Sequence, residues 1–227
     1  RHAIVEHEGS EKKSVPAMLV VLAMLAATGC KKILDEPEMG SYEADNFFTS
    51  DANAVLAVNA AYTPLMFTDP SSNAIWVLGD VASDDAIKGG LPGDQADFEN
   101  VDEFNINPSN AAVEAVWQRY YDGVFKCNVV LDGLSSSNSA ITASVRTECL
   151  GQASFLRAYY YFVLTNCYGD IPLHLKVETP EELQSPAIPR ADIFLQIEAD
   201  CRQAINDLPL SWQGGDRGRY KQGGAMA

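Results

Sequence analysis

The sequence predicts an all-α fold made of helical hairpins joined by long irregular loops, and three observations support this. Apolar residues recur at intervals of three and four along four stretches of the chain, which is the period of one helix face. No stretch shows the strict apolar–polar alternation of a half-buried strand. The 227 residues are 47% hydrophobic and 21% charged, a composition with enough apolar mass for a packed core.

Four helices are predicted from this period, over residues 51–67, 111–134, 141–168 and 191–208. The cap candidates are Thr49, Ser50 and Asp51 for the first helix and Ser109 or Asn110 for the second, because these residue types cap helix N-termini. The second and third are expected to form an antiparallel hairpin through residues 135–140. The fourth is expected to pair with an element beyond the end of the sequence.

The third predicted helix carries a group of aromatic residues. Phe155, Tyr159 and Phe162 recur at helical spacing on one face, which favours burial in the core over a platform for stacking sugars. Trp117, on the second predicted helix, is assigned to the core for the same reason. We expect Arg157 to form a structural ion pair or to cap backbone groups rather than to contact a ligand.

Residues 1–30 differ from the rest of the chain. A Lys-Lys pair precedes the apolar stretch 15–27, and a Thr-Gly-Cys sequence ending at Cys30 follows it. Such an order is typical of a secretory signal peptide. The Thr-Gly-Cys ending resembles a bacterial lipobox, so the sequence predicts a lipoprotein signal peptide over 1–29 and a lipid on Cys30. The alternative is an uncleaved signal anchor, although a membrane-spanning helix needs about twenty apolar residues.

The irregular region 69–110 is the candidate functional region, because a loop of that length inside a domain is usually functional or partly ordered by short elements of its own. An aromatic face stacks on a sugar ring, and carboxylates accept hydrogen bonds from its hydroxyl groups. The sequence therefore predicts a sugar-binding surface made by Trp76, Asp80, Asp84 and Asp85. In the alternative interpretation, Trp76 holds the loop against the helices.

An enzymatic function is not expected. A glycosidase needs two carboxyl groups about 5–10 Å apart, and Asp84 and Asp85 invite that interpretation, but adjacent acids are common on protein surfaces. The histidines do not support a Ser-His-Asp triad or a His-rich metal site, because two of the three, His2 and His7, precede Cys30 and only His174 follows it.

The net charge and the spacing of the acids argue against two further classes of function. The formal net charge is −15 and no Lys/Arg run exceeds two residues, whereas nucleic-acid binding needs a basic face. Five acids between residues 94 and 103 lack the spacing of an EF-hand loop, which favours a solvated acidic loop over a calcium site.

Two interpretations of the cysteines remain open. Cys149 and Cys167 lie on one predicted helix about 27 Å apart, which is too far for a disulfide. Cys127 and Cys149 lie on helices that are expected to face each other, so a bridge between them is one option. Free buried thiols are the other.

Four segments together resemble the SusD/RagB family of outer-membrane lipoproteins. The most telling are Gly-Gln-Ala-Ser-Phe-Leu-Arg-Ala-Tyr-Tyr-Tyr-Phe-Val-Leu at 151–164 and Tyr-Gly-Asp-Ile-Pro-Leu at 168–173. Residues 218–227 resemble a further family segment. Two residues depart from the family pattern, Gln152 in the segment 151–164 and Gln222 in the segment 218–227. The second and fourth predicted helices carry matching residues at Trp117, Tyr121, Val124 and Asn128, and at Pro189, Arg190, Ile197, Asp200, Ala204 and Leu208.

This resemblance implies tetratricopeptide-like helical hairpins carrying an irregular ligand-binding region. It implies a lipid-anchored, surface-exposed protein of the bacterial outer membrane, with a polysaccharide or oligosaccharide as its ligand. The implied partner is a SusC-like TonB-dependent transporter, with no catalytic activity and no cofactor. Family members are about twice as long, so residues 30–227 are expected to be an N-terminal domain whose C-terminal half is missing.

A different class of function competes with glycan capture. The chain could be a helical-repeat scaffold that binds a protein partner and no glycan. A glycan-binding protein should place Trp76 and the neighbouring acids on an exposed face, whereas a scaffold should bury Trp76.

Overall fold

The computed structural model describes residues 47–66, 74–135 and 140–227, and these residues form an all-α fold, as predicted. Among them, the only sheet-like pairing is an isolated bridge between Ile171 and Ile188. The α-helices are α1 (Asp51–Tyr62), α2 (Ala96–Asp102), α3 (Ala111–Gly133), α4 (Ala143–Tyr168), α5 (Arg190–Asp207) and α6 (Gln222–Met226). Short helical turns lie at Thr63–Leu65 and Gly214–Gly218 (3-10) and at Val77–Val81 (π).

The helix boundaries follow from local chemistry. The Ser50 side chain accepts a hydrogen bond from the Asn53 amide at the start of α1. At the start of α3, Asn110 rather than Ser109 is the cap. The α1 helix ends earlier than the predicted residue 67 because Pro64 has no amide hydrogen and introduces the 3-10 turn.

Helices α3 and α4 form the predicted antiparallel hairpin. At one end, the Tyr168 hydroxyl near the end of α4 donates to the Val113 carbonyl near the start of α3, at 2.6 Å. At the other end, Val130 of α3 and Cys149 of α4 belong to one buried cluster. The α1 helix packs against both, and the Tyr160 hydroxyl donates to the Ala61 carbonyl at 2.6 Å. The irregular segments that precede α3 and follow α4 are anchored on this hairpin.

Helix α5 packs directly against α4, a neighbour that the sequence did not assign to it. The contact includes an ion pair between Arg157 and Asp200, whose side chains are both buried. The prediction of a structural ion pair at Arg157 is therefore confirmed. Burial acts to lower the pKa of Arg157, but the hydrogen bonds and the charge of Asp200 outweigh it, so the pKa is raised.

The predicted buried face of α4 is wrong in part. Phe162 is 48% exposed, and Phe155 and Tyr159 are only partly buried, whereas Tyr160 and Tyr161 are fully buried. The reason is that α1, α3 and α5 surround α4, so its burial does not follow a single stripe. The Phe162 ring lies at the edge of the α4–α5 contact, 6.3 Å from the ring of Phe194.

The predicted signal peptide and Cys30 lie outside the described residues. Within the described ranges, none of the helices has both the length and the apolar character that crossing a bilayer requires.

Candidate functional site

The first described part of the irregular region, residues 74–82, contains the π-helical turn Val77–Val81. The Ala82 amide donates to the Val77 carbonyl five residues earlier, at 3.0 Å. Ala74, Val77 and Val81 are buried and fix the turn on the core. Single π-turns occur frequently at functional sites, because they reorient neighbouring side chains.

Trp76 sits at the start of this turn and is partly buried. Its ring packs edge-on against the ring of Phe98 in α2, with centroids 5.4 Å apart and an interplanar angle of 88°. It therefore holds α2 against the π-turn and still keeps part of its surface accessible. Both roles considered for Trp76 from the sequence are compatible with this position.

The three predicted acids, Asp80, Asp84 and Asp85, are all exposed. The Ser83 hydroxyl organises the chain between them, because it donates to the Asp80 carbonyl at 2.7 Å and accepts from the Asp85 amide at 3.2 Å. Within the described residues, no protein group is hydrogen-bonded to any of the three carboxylates. The structure thus places these three acids and Trp76 on one short segment, with the carboxylates open to solvent.

The chain that follows is held by its own polar side chains. Asp102 accepts from the Lys88 amide at 3.1 Å, and Glu99 accepts from the Gly93 amide at 3.0 Å. Two of the acids considered for calcium thus serve internal hydrogen bonds. No group of three or more His, Cys, Asp or Glu side chains in the described part of the chain is arranged to hold a metal ion.

Asn110 fixes this region to the helical hairpin. Its amide group donates to the Asp97 carbonyl at 2.8 Å, and its oxygen accepts from the Ala112 and Val113 amides at 3.0 and 3.2 Å. One buried side chain therefore caps α3 and anchors α2. Since Trp76 packs on Phe98 of α2, Asn110 also links the candidate surface to the hairpin.

The same region exposes large apolar side chains, which the sequence analysis did not single out. Ile87, Leu91 and Phe104 are 80%, 76% and 72% exposed. Phe104 also has a left-handed backbone with a φ of 55°, and Gln95 has a φ of 50°. Such backbone strain in non-glycine residues is common at ligand-binding sites.

A cavity of about 460 Å³ lies beside the π-turn. Ile75, Leu78 and Ile106 from the irregular region line one part of it, and Val113 and Tyr168 of the hairpin line another. Trp76, Asp80, Asp84 and Asp85 do not line this cavity. The cavity therefore lies apart from the predicted residues Trp76, Asp80, Asp84 and Asp85, and the sequence analysis did not predict it.

The buried cysteines of the hairpin are free thiols. Cys127 and Cys149 are both buried and unbridged. Burial raises the pKa of Cys149 to about 11 and that of Cys127 still further, so neither thiol ionises at neutral pH. Neither cysteine contributes chemistry to the candidate site.

Comparison with known proteins gives one family. The SusD-like family, described as starch-binding and associating with the outer membrane, matches residues 12–226. Two SusD-like proteins of Formosa agariphila are 23% identical over 194 residues and 24% identical over 195 residues. These alignments cover 85% and 83% of this chain but 37% of each relative, so the chain spans less than half the length of those relatives.

Solved structures agree with this result. A laminarin-binding SusD-like protein superposes with a TM-score of 0.70 and 26% identity, over 78% of this chain and 38% of that one. Surface glycan-binding protein A from Bacteroides fluxus superposes with a TM-score of 0.69 and 25% identity, over the same shares of the two chains.

Proposed function

The chain belongs to the SusD-like family, and from this membership we propose that it is a glycan-capture lipoprotein of a bacterial outer membrane. It binds a polysaccharide or oligosaccharide and passes it to a SusC-like TonB-dependent transporter. The laminarin-binding and surface glycan-binding relatives support a glycan as the ligand. The chain spans only part of the length of its relatives. Glycan capture and transfer to the transporter are therefore proposed for the whole protein and not read from this chain alone.

The observation that carries the proposal is the arrangement on residues 74–85. Trp76 is partly accessible, and Asp80, Asp84 and Asp85 lie on the same segment with exposed side chains. An aromatic surface next to hydrogen-bond acceptors is what a sugar requires, because one face of a pyranose ring is apolar and its rim carries hydroxyl groups. We therefore assign ligand binding to these four residues.

Affinity electrophoresis tests the proposal directly. The purified protein is run in native gels that contain laminarin or soluble starch, and we expect either polysaccharide to slow its migration. A variant with Asp84→Asn and Asp85→Asn should be slowed less, whereas Glu198→Gln, which changes an exposed acid on α5, should behave as the wild type. Unchanged migration of the wild type in a broad panel of polysaccharides would instead favour the protein-binding scaffold.

The protein acts as a binder and not as an enzyme. It should release no reducing sugar ends from any glycan that it binds, because the family relatives named above are binding proteins and Asp84 and Asp85 lie on an open surface. A reducing-end assay on the bound polysaccharide tests this point.

The membrane anchor is the lipid on Cys30, the first residue after the signal peptide. A lipid anchor keeps a folded domain beside the membrane without a spanning helix. Metabolic labelling with a fatty-acid analogue should modify the wild type and not Cys30→Ser, and the variant should leave the membrane fraction. Equal labelling of both proteins would rule out this anchor.

A further inference from the structure

A second cavity, of about 400 Å³, lies between α3 and the extended chain that follows α4. We call it the aromatic pocket and define it by Trp117, Tyr121, Phe125, His174, Glu178 and Leu183. No residue of the 74–110 region lines it, so it is separate from the surface described above. Its volume is in the range of about 300–1,000 Å³ that is usual for small-molecule sites.

One wall of the pocket is a row of three aromatic rings on α3. Trp117, Tyr121 and Phe125 follow one another at intervals of four residues, which places them on one face of the helix. The first two rings lie 4.7 Å apart between centroids. Phe125 is 51% exposed and extends the row towards the solvent. The wall thus offers an apolar surface that a flat ligand can reach from outside.

The opposite wall is held rigidly by side chains of the hairpin. Asn128 donates from its amide group to the carbonyls of His174 and Lys176, each at 3.0 Å. The Tyr161 hydroxyl donates to the same His174 carbonyl at 2.8 Å, and Arg157 donates to the Leu175 carbonyl at 3.1 Å. Because these donors are buried, the extended chain is fixed before any ligand arrives.

The pocket also has polar groups of both kinds. Nδ1 of His174 lies 2.5 Å from a Glu178 oxygen, and these two side chains are only 10% and 12% exposed. Asp122 and Lys176 also line the pocket, but each already has an ion-pair partner: Lys126 at 2.6 Å from Asp122 and Glu182 at 2.7 Å from Lys176. Since both of these charges are compensated, they do not select an anion or a cation. The pocket suits a neutral ligand that both donates and accepts hydrogen bonds.

We propose that the aromatic pocket is a second glycan site, which binds one pyranose ring. The ring stacks on the wall made by Trp117, Tyr121 and Phe125, and its hydroxyl groups bond to the polar groups around His174 and Glu178. That the ligand is a glycan rests on the proposed function, but the residues of this second site differ from Trp76, Asp80, Asp84 and Asp85. A long glycan held at two places on one chain would dissociate more slowly than a glycan held at one.

The test is calorimetric titration with laminarin oligosaccharides and with maltooligosaccharides, in two backgrounds. In the wild type, Phe125→Ala should weaken binding, and in a Trp76→Ala background it should weaken the remaining binding by about tenfold. Phe162→Ala is the matched control, because Phe162 is 48% exposed on the neighbouring helix and does not line the pocket. Circular dichroism confirms that each variant is folded.

The outcomes separate the two proposals. Loss of affinity with Phe125→Ala and not with Phe162→Ala supports the second site. If Phe125→Ala binds as tightly as its parent in both backgrounds while Trp76→Ala is impaired, the second site is overturned and the proposed function stands. If the wild type binds neither class of oligosaccharide, the proposed function fails and this inference fails with it.

Discussion

Arg157 of α4 holds Asp200 of α5 with two hydrogen bonds, one from Nε at 2.8 Å and one from a terminal guanidinium nitrogen at 2.7 Å. The other terminal nitrogen donates to the Asn128 side chain on α3, at 2.8 Å. A single buried guanidinium group therefore connects three helices. It also contacts the extended chain that forms one wall of the aromatic pocket.

Removal of Asp200 should destabilise the protein strongly. In Asp200→Ala the Arg157 charge stays buried without its partner, and such a change costs about 3–5 kcal/mol of the free energy of unfolding. Urea denaturation measures this loss. The control is Glu198→Ala on the same helix, whose partner Arg202 is exposed, so its loss should stay below about 1 kcal/mol. Equal losses of unfolding free energy in the two variants would show that the buried ion pair stabilises the protein no more than the exposed one.

A methyl group at Gly123 should also destabilise the fold. An added Cβ would lie 2.5 Å from the Tyr160 ring, which is fully buried and cannot move aside. Overpacking of this kind costs about 1–3 kcal/mol and outweighs the gain of about 1 kcal/mol in helix propensity. Gly223→Ala in α6 is the control, since no atom beyond its chain neighbours and the nearby backbone of its own helix lies within 4 Å of the added Cβ. Thermal unfolding that ranked Gly123→Ala at or above the wild type would contradict the packing described here.

The cysteines should differ sharply in reactivity. Among the four cysteines of the described residues, Cys167 is the exposed one and should react first with iodoacetamide at pH 8, because its accessibility outweighs the burial that raises its pKa as well. Cys127 and Cys149 should react only after unfolding, because burial blocks access and raises the pKa of Cys149 to about 11, so its thiol stays protonated below that pH. Mass spectrometry of labelled peptides follows each site. A Cys127–Cys149 linked peptide in a non-reduced digest would contradict the free thiols of the structure.

Helical period alone predicted much of the architecture. The predicted helices at 111–134, 141–168 and 191–208 correspond to α3, α4 and α5 with boundaries within two residues. Their apolar residues recur over long, uninterrupted stretches. Tertiary packing therefore changed little of the secondary structure that the local pattern predicts. The partner of Arg157 could not be predicted in this way, because Asp200 is 43 residues away and becomes a neighbour only when α5 packs on α4.

The sites were less accessible to sequence reasoning than the helices. Trp117, Tyr121 and Phe125 have the spacing of a core stripe, and nothing in their pattern distinguishes a buried face from a pocket wall. The other wall of the pocket comes from chain without any periodic signal, around His174. On α4 the same limitation led to the wrong burial for Phe162, since the pattern does not reveal how many neighbours surround a helix.

Glycan binding by the segment around Trp76 is the central proposal, and the dissociation constant of Trp76→Ala for the oligosaccharide that the wild type binds tests it most directly. If the accessible part of this ring stacks on the sugar, its loss should weaken binding by about tenfold or more, and Trp76→Phe should restore part of the affinity. The variant must first be shown to be folded, because Trp76 also packs against Phe98. An unchanged dissociation constant in folded Trp76→Ala would assign this residue to packing alone and contradict the proposed site.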